Sequence, residues 1–145
     1  MPEKTQHTAG LVPSFIRHCR KRRWMSKVAD STGVELTGGQ LLLRSLGLRR
    51  LLRRRVLDAQ ERHVAVLLPP SVAAIVTNMA LALDRRVSAN LNYTVSSEVL
   101  NDCIQQAGIR HVLTSRKFME KMSFSLDAEL VYLEDFKDAA TVVDK

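Results

Sequence analysis

The chain has 145 residues, of which 46% are apolar, 26% charged and 5% aromatic. This balance is typical of one folded domain and excludes a disordered polar chain. The net charge of +7 is unevenly spread: residues 1–63 hold 14 Lys and Arg against 5 Asp and Glu, whereas residues 64–145 hold 8 against 10. The basic first part favours an acidic partner, which could be a protein, a phosphate-bearing ligand, an anionic lipid surface or nucleic acid.

Targeting and metal-binding signals are missing from the sequence pattern. The first ten residues lack a basic segment followed by an apolar run, so no signal peptide is expected. Cys19 and Cys103 lie far apart without CxxC spacing and are expected to be small buried thiols. The uncharged run Val64–Leu83 contains Pro69 and Pro70 early, which favours a strand, a turn and a helix over a membrane span. We therefore expect a cytoplasmic protein that contacts a membrane at most peripherally.

Three elements are predicted before residue 64. Residues 1–10 read as a flexible lead-in to a single domain over 11–145. A short helix is expected over Leu11–Trp24, and its basic end has two explanations: cations that complement the helix dipole, or a docking site. Lys27–Leu36 predicts a hairpin, and Thr37 is expected to cap a helix that runs from Gly38 to about Val56.

The second half of that helix is rich in arginine. The interpretation we favour is the solvated face of an amphipathic core helix, with Leu42, Leu46, Leu52 and Val56 on the apolar side. The alternative is a docking surface for an acidic protein or an anionic membrane. Nucleic acid is not expected, because no aromatic residues are interleaved with the cations. The docking surface would consist of Arg49, Arg50, Arg53, Arg54 and Arg55.

From Val64 onward, strands alternate with helices. Strand starts near Val64, Val87, Ile109 and Leu130 are separated by 23, 22 and 21 residues. Such alternation predicts an α/β fold, a mostly parallel sheet with helices on both faces. The helices are expected over Ser71–Leu83, Ser96–Ala107 and Ser115–Met122. A sheet that stops after about four strands also predicts a partial subdomain of a larger fold.

Ligands of open α/β sheets bind at the carboxyl ends of the strands. The loop after the first strand, Pro69-Pro70-Ser71, has no glycine, which argues against a dinucleotide site, and no phosphate loop, nucleophile elbow or zinc motif occurs. No catalytic residue, cofactor ligand or metal ligand is assigned. The weak substrate-side candidates follow the second strand, where turn formation is the competing explanation. They are Asn90, Asn92, Tyr93 and Thr94.

The run from VAVLLPPSVAAIV through LNYT to AGIRHVLTSRKF resembles the N-terminal part of adenylate-forming enzymes: acyl-CoA synthetases, adenylation domains and luciferases. The LNYT segment, taken with Thr114, Ser115 and Arg116, looks most like the acyl-[acyl-carrier-protein] synthetase branch. That branch includes the ligase domain of bifunctional lysophospholipid acyltransferases. The upstream ADSTGVELTGGQLL resembles the family's early hairpin and following helix, and the likeness covers about residues 11–135.

The resemblance implies ATP- and Mg²⁺-dependent activation of a fatty acid to an acyl-adenylate, then transfer to acyl carrier protein or CoA. The family's phosphate loop, adenylate-binding motifs and lysine-bearing domain would lie beyond Lys145. No catalytic residue can therefore be carried over, and this chain is expected to be inactive alone and to bind no cofactor tightly. The alternative is a stand-alone interaction module, and a weaker one is a flavodoxin-like ligand binder. Acyl chain length, acceptor and oligomeric state stay open.

Overall fold

The structure is a computed structural model that describes residues 10–136. Its first half contains helix α1 (Leu11–Lys21), strands β1 (Ser26–Ala29) and β2 (Glu35–Thr37), and helix α2 (Gly38–Arg55). Four strands and three helices then alternate and end in a short 3₁₀ helix. These are β3 (His63–Val66), α3 (Val72–Leu83), β4 (Val87–Asn90), α4 (Ser97–Ala107), β5 (His111–Thr114), α5 (Arg116–Met122), β6 (Glu129–Tyr132) and the 3₁₀ helix Leu133–Phe136. The predicted lead-in and the tail beyond residue 136 lie outside the described residues, except for Gly10.

The first half forms as the sequence predicts, with one shorter element. β1 and β2 make the expected antiparallel hairpin, and Gly33 supplies the positive φ of its turn, at 90°. Thr37 caps α2 in a reciprocal capping box with Gln40. Helix α1 ends at Lys21, not at Trp24, because residues 22–25 turn to bind the start of α2.

The four later strands form one parallel sheet in the order β4-β3-β5-β6. β3 lies between β4 and β5, so the chain crosses back over β3 on its way from β4 to β5. Two-residue periodicity sends Val64 and Val66 to one face of the sheet and Ala65 and Leu67 to the other. The predicted fold class, a parallel α/β sheet with helices on both faces, is confirmed.

Each face of the sheet has its own core. On one face, residues of β3, β5 and β6 pack against Leu52 of α2 and Leu81 of α3. On the other face, the strands pack against Leu100 and Ile104 of α4 and Phe118 of α5. A third cluster, with Cys19 and Leu41 among its members, joins α1 and the hairpin to α2 and α3. The hairpin and α1 are thus fastened to the helical layer rather than to the sheet.

The apolar stripe of α2 differs from the predicted one. Its buried side runs along Leu41, Ser45 and Leu52, whereas Leu46 is 38% exposed and Leu43 is 62% exposed. Ser45 is accommodated inside because its hydroxyl donates a 2.7 Å hydrogen bond to the carbonyl of Leu41. Leucine is so frequent in this helix that its positions do not show which face points inward.

The prediction of two buried thiols is wrong for one cysteine. Cys19 is fully buried, and burial raises its pKa, while Cys103 lies exposed on α4. Both are free. Among residues 10–136 no helix has the length and apolarity needed to cross a membrane. In particular, Val64–Leu83 forms a strand, a turn and the twelve-residue helix α3, as expected.

Candidate functional site

The sheet order creates a switch point between β3 and β5. Their following helices, α3 and α5, pack on opposite faces, so the loops after the two strands diverge at the carboxyl edge, where open sheets of this kind bind ligands. The two strand ends are tied together there: the fully buried Thr114 hydroxyl donates a 2.7 Å hydrogen bond to the carbonyl of Leu67. This edge is the candidate functional site.

The N-terminus of α3 opens onto this edge and already holds an anion. The Asp30 carboxylate, from the hairpin turn, accepts a 2.9 Å hydrogen bond from the Val72 N–H, and the Ser71 hydroxyl caps the Ala74 N–H. Hydrogen bonds, the largest contribution being that of the Thr32 hydroxyl, hold the pKa of Asp30 below its usual value. The position where a doubly wound fold binds a phosphate is therefore filled by this chain's own carboxylate.

The four predicted substrate-side residues lie at the end of β4, the outer strand beside β3, and directly after it. Asn90 forms a reciprocal amide pair with Asn78 of α3, at 2.8 and 3.0 Å. Asn92 accepts hydrogen bonds from both the N–H and the hydroxyl of Thr94, which closes a local turn. Tyr93 packs edge-on against Phe118, with ring centroids 5.5 Å apart. The Asn92–Thr94 contacts are those of a helix-entry turn, while Asn90 and Tyr93 contact α3 and α5, and a role in substrate binding stays a prediction.

Arg116, at the same edge of the sheet, has contacts that only the folded structure reveals. The Arg116 guanidinium forms a two-point ion pair with Asp135, at 2.6 and 3.1 Å, and lies 4.5 Å from the ring centre of Tyr132. Its backbone N–H donates to the Glu134 carboxylate. The ion pair with Asp135 raises the pKa of Arg116. Arg116 therefore fastens the 3₁₀ helix to the start of α5.

Several polar groups of this edge already have partners within the chain. Asp30 occupies the N-terminus of α3, and the Asp135 and Glu134 carboxylates are engaged with Arg116. Within residues 10–136 no three His, Cys, Asp or Glu side chains converge as metal ligands would. We therefore assign no nucleotide contact and no chemical step to the described residues.

The predicted docking surface on α2 lies at the opposite, amino edge of the sheet. Arg49 is less available for docking than the other arginines of this surface, because its Nε donates a 3.2 Å hydrogen bond to the nearly buried Asp84. Arg53 lies 3.8 Å from the same carboxylate. The remaining members are exposed and have no carboxylate partner among the described residues. They are Arg50, Arg54 and Arg55.

A cleft of about 490 Å³ opens beside these arginines. Its lining includes Arg54, Arg55 and His111. The buried His111 contacts the Glu61 carboxylate through Nδ1, at 2.8 Å, and Glu129 through Nε2, at 3.1 Å. These contacts join the loop before β3 to the starts of β5 and β6.

The fold is shared with known enzymes, although no family model matches the chain. VinN in complex with 3-methylaspartate matches at TM-score 0.77 and 18% identity, over 92% of this chain and 37% of VinN. A fatty acyl CoA synthetase from Mycobacterium tuberculosis matches at TM-score 0.73 and 14% identity, over 90% and 28%. The nonribosomal peptide synthetase FmoA3, in its α-methyl-L-serine-AMP bound form, matches at TM-score 0.74 and 16% identity, over 87% and 14%.

This chain has the fold of the N-terminal subdomain of adenylate-forming enzymes. Isolated N-terminal portions are among the matching structures. The chain spans between 14% and 37% of the length of the three proteins described above. The expected superfamily fold is thus confirmed, while at these identities the acyl-carrier-protein branch stays a proposal.

Sequence reasoning missed the roles of Asp30 and Arg116 in organising this fold. The ADSTG segment predicts a hairpin turn, but the Asp30 carboxylate also accepts a hydrogen bond from Val72, 42 residues away. Arg116 meets Asp135 across 19 residues. Neither partner could be read from local spacing, because each contact forms only when the elements pack.

Proposed function

We propose that this chain is the N-terminal subdomain of an ATP-dependent ligase that activates a fatty acid. In that reaction a fatty-acid carboxylate displaces pyrophosphate from ATP to form an acyl-adenylate. A thiol of acyl carrier protein or CoA then takes the acyl group and releases AMP. The observation that carries the proposal is the fold, shared over 90% of the chain with a fatty acyl CoA synthetase. The LNYT and AGIRHVLTSRKF segments resemble the acyl-[acyl-carrier-protein] synthetase branch, and the proposed acceptor is acyl carrier protein or CoA.

In this proposal the chain supplies scaffold rather than chemistry. The carboxyl edge of β3 and β5 would form one wall of the ligase's substrate site. The Thr114–Leu67 hydrogen bond holds the ends of the two strands together there. The ATP-phosphate loop and the catalytic lysine belong to other parts of the ligase. Since Asp30 fills the N-terminus of α3, we expect the 145-residue chain alone to bind neither ATP nor Mg²⁺ tightly. The proposed cellular site is the cytoplasm.

The test is ATP–pyrophosphate exchange, measured for this chain and for the longest polypeptide that its gene encodes. We expect no exchange by the 145 residues alone and fatty-acid-dependent exchange by a longer polypeptide. A panel of fatty acids is compared with aspartate and 3-methylaspartate, the latter being the compound bound to VinN. Exchange driven by the amino acids instead of fatty acids would contradict the substrate class, and exchange by this chain alone would contradict its scaffold role.

The rival function is a non-catalytic interaction module with the same fold. It is favoured by the exposed Arg50, Arg54 and Arg55 and by the mutual engagement of the polar groups at the carboxyl edge. A reading frame that stops after Lys145 would favour this module. A frame that continues into a Ser/Thr/Gly-rich phosphate loop would favour the ligase.

A further inference from the structure

The end of α1 carries a basic surface that is separate from the arginines of α2. Residues 10–29 contain six Lys and Arg and no Asp or Glu. All six are exposed, and none pairs with a carboxylate in the part of the chain that the structure describes. The six are Arg17, Arg20, Lys21, Arg22, Arg23 and Lys27. We call them, with Trp24 and Met25, the α1 basic surface.

The helix dipole explains only part of this charge. Arg20 and Lys21 lie in the last turn of α1, where cations are favourable. Arg22, Arg23 and Lys27 follow the helix end, and seven consecutive residues from Lys21 to Lys27 are exposed. Two of these seven are large and apolar: Trp24 is 82% exposed and Met25 is 57% exposed. Apolar side chains of this size among cations indicate a contact surface rather than a solvated face.

The turn that presents Trp24 is rigidly fastened. The carbonyls of Met25 and Arg23 accept hydrogen bonds from the N–H groups of Gly38 and Gly39, both 3.1 Å, at the start of α2. The contact is so close that a Cβ at Gly38 would lie 2.7 Å from the Arg22 carbonyl oxygen. These contacts hold the backbone of the turn against α2, and Trp24 lies exposed with the Arg23 guanidinium 5.3 Å from its ring centre.

We propose that the α1 basic surface binds an anionic lipid bilayer at its interface. Cations attract the anionic headgroups, while Trp24 and Met25 enter the boundary between headgroups and acyl chains, where amphipathic rings are favoured. A lipid surface fits better than an acidic protein or single-stranded nucleic acid. An acidic protein would not require two protruding apolar side chains. A nucleic acid strand would call for several stacking aromatics, whereas this surface presents one.

Trp24 is the only tryptophan of the chain, so its fluorescence reports directly on this contact. The protein is titrated with vesicles of phosphatidylcholine alone, with vesicles that also contain phosphatidylglycerol, with polyglutamate and with an oligothymidylate. We expect a blue shift and protection from aqueous acrylamide only with the anionic vesicles, and a loss of binding as salt is raised. A response to polyglutamate or oligothymidylate without one to vesicles would overturn the proposal, as would emission already blue-shifted in their absence.

Variants that remove charge but keep Trp24 as the fluorescent reporter test whether the α1 basic surface is the part that binds the vesicles. The triple variant Arg20→Gln, Arg22→Gln, Arg23→Gln should lose roughly a hundredfold in affinity for anionic vesicles, since each cation near such a surface contributes about 1 kcal/mol. The matched control removes the same charge from α2, as Arg50→Gln, Arg54→Gln, Arg55→Gln, and should retain most of the binding. The reverse ranking would contradict the proposed location. Because all six arginines are exposed, circular dichroism and thermal unfolding are expected to show that both variants fold.

The contribution of the Trp24 side chain to vesicle binding is measured separately, by co-sedimentation with the same vesicles. Trp24→Ala should reduce binding severalfold at constant charge, and Trp24→Phe should restore part of it. Binding by Trp24→Ala equal to that of the unmodified chain would show that the ring does not enter the bilayer, and would contradict the proposal. Vesicle binding does not depend on ligase activity, so this proposal and the proposed function fail or succeed independently.

Discussion

At the scale of single residues, two glycines decide how the first half of the chain closes. Gly38 begins α2 where the carbonyls of Cys19 and Arg22 pass so close that a Cβ would lie 2.7 Å from each oxygen. Gly39 is slightly less crowded, with 3.0 Å to the Arg23 carbonyl oxygen. The GG pair is therefore explained by a close backbone contact rather than by phosphate binding. Gly47, on the same helix, meets nothing within 4 Å.

This contrast gives the first prediction. Gly38→Ala should lower the free energy of unfolding by about 1–3 kcal/mol or more, because the backbone oxygens at 2.7 Å cannot move independently. Gly47→Ala, in the open middle of α2, should raise it by about 0.5–1 kcal/mol by restricting the unfolded chain. Chemical denaturation measures both. Equal effects from the two substitutions would contradict the close approach at Gly38.

Asp30 provides the second prediction, a pH dependence. Its folded-state pKa is lowered, so its stabilising contribution is present above the unfolded pKa of about 3.9 and is lost as the pH falls through the folded value. Asp30→Asn should therefore unfold at a lower temperature than the unmodified chain at pH 7, and this difference should shrink on acidification. Melting curves from pH 7 to pH 3 measure it. The control is Asp102→Asn, which removes a carboxylate from the exposed side of α4, and an equal effect of the two substitutions would contradict the role of the hydrogen bonds of Asp30.

At the scale of elements, α2 shows how far a hydrophobic pattern can be trusted. The helix, its Thr37 cap and its basic end were predictable, because capping and propensity act locally. Its inward face was not, since seven leucines surround the helix and α1 and α3 determine which of them are covered. The helix starts after the strands were also predictable from local sequence. Their N-caps are Ser71, Ser96 and Ser115.

The third prediction tests this assignment of faces. Leu52 is 1% exposed in the core against the sheet, so Leu52→Ala should lower the free energy of unfolding by about 2–5 kcal/mol. Leu43 is 62% exposed on the same helix, and Leu43→Ala should change it by less than about 0.5 kcal/mol. Because the two variants make the same chemical change, comparing their denaturation midpoints isolates burial. Similar losses would mean that the helix is rotated.

At the scale of the whole molecule, the two edges of the sheet separate two kinds of surface. The carboxyl edge holds the switch point and the engaged polar residues Asn90, Thr114 and Arg116. The amino edge holds the exposed arginines at the end of α2. A carrier protein that docks on these arginines would meet the subdomain away from the edge where ligands of this fold class bind. We expect the α2 arginines to affect association with a carrier rather than the reaction itself.

The fourth prediction concerns that association. Replacing Arg50, Arg54 and Arg55 with Gln should slow association with an acidic acyl carrier protein by roughly tenfold and flatten its salt dependence. Arg49 is left unchanged, because its pairing with Asp84 supports the fold. The control is the Gln variant of Arg20, Arg22 and Arg23, which removes equal charge elsewhere. Surface plasmon resonance at several salt concentrations measures both, and unchanged binding in the α2 variant would contradict the docking surface.

Local sequence patterns were enough to predict the alternation of strands and helices, their caps, the hairpin and the parallel α/β class. These depend on periodicity and on contacts within a few residues of the chain. Packing between the elements determines the strand order, the inward face of α2, the placement of Asp30 on α3 and the exposure of Trp24. Each of these depends on groups far apart in sequence, such as Asp30 and Val72, and their contacts form only when helices pack on a finished sheet.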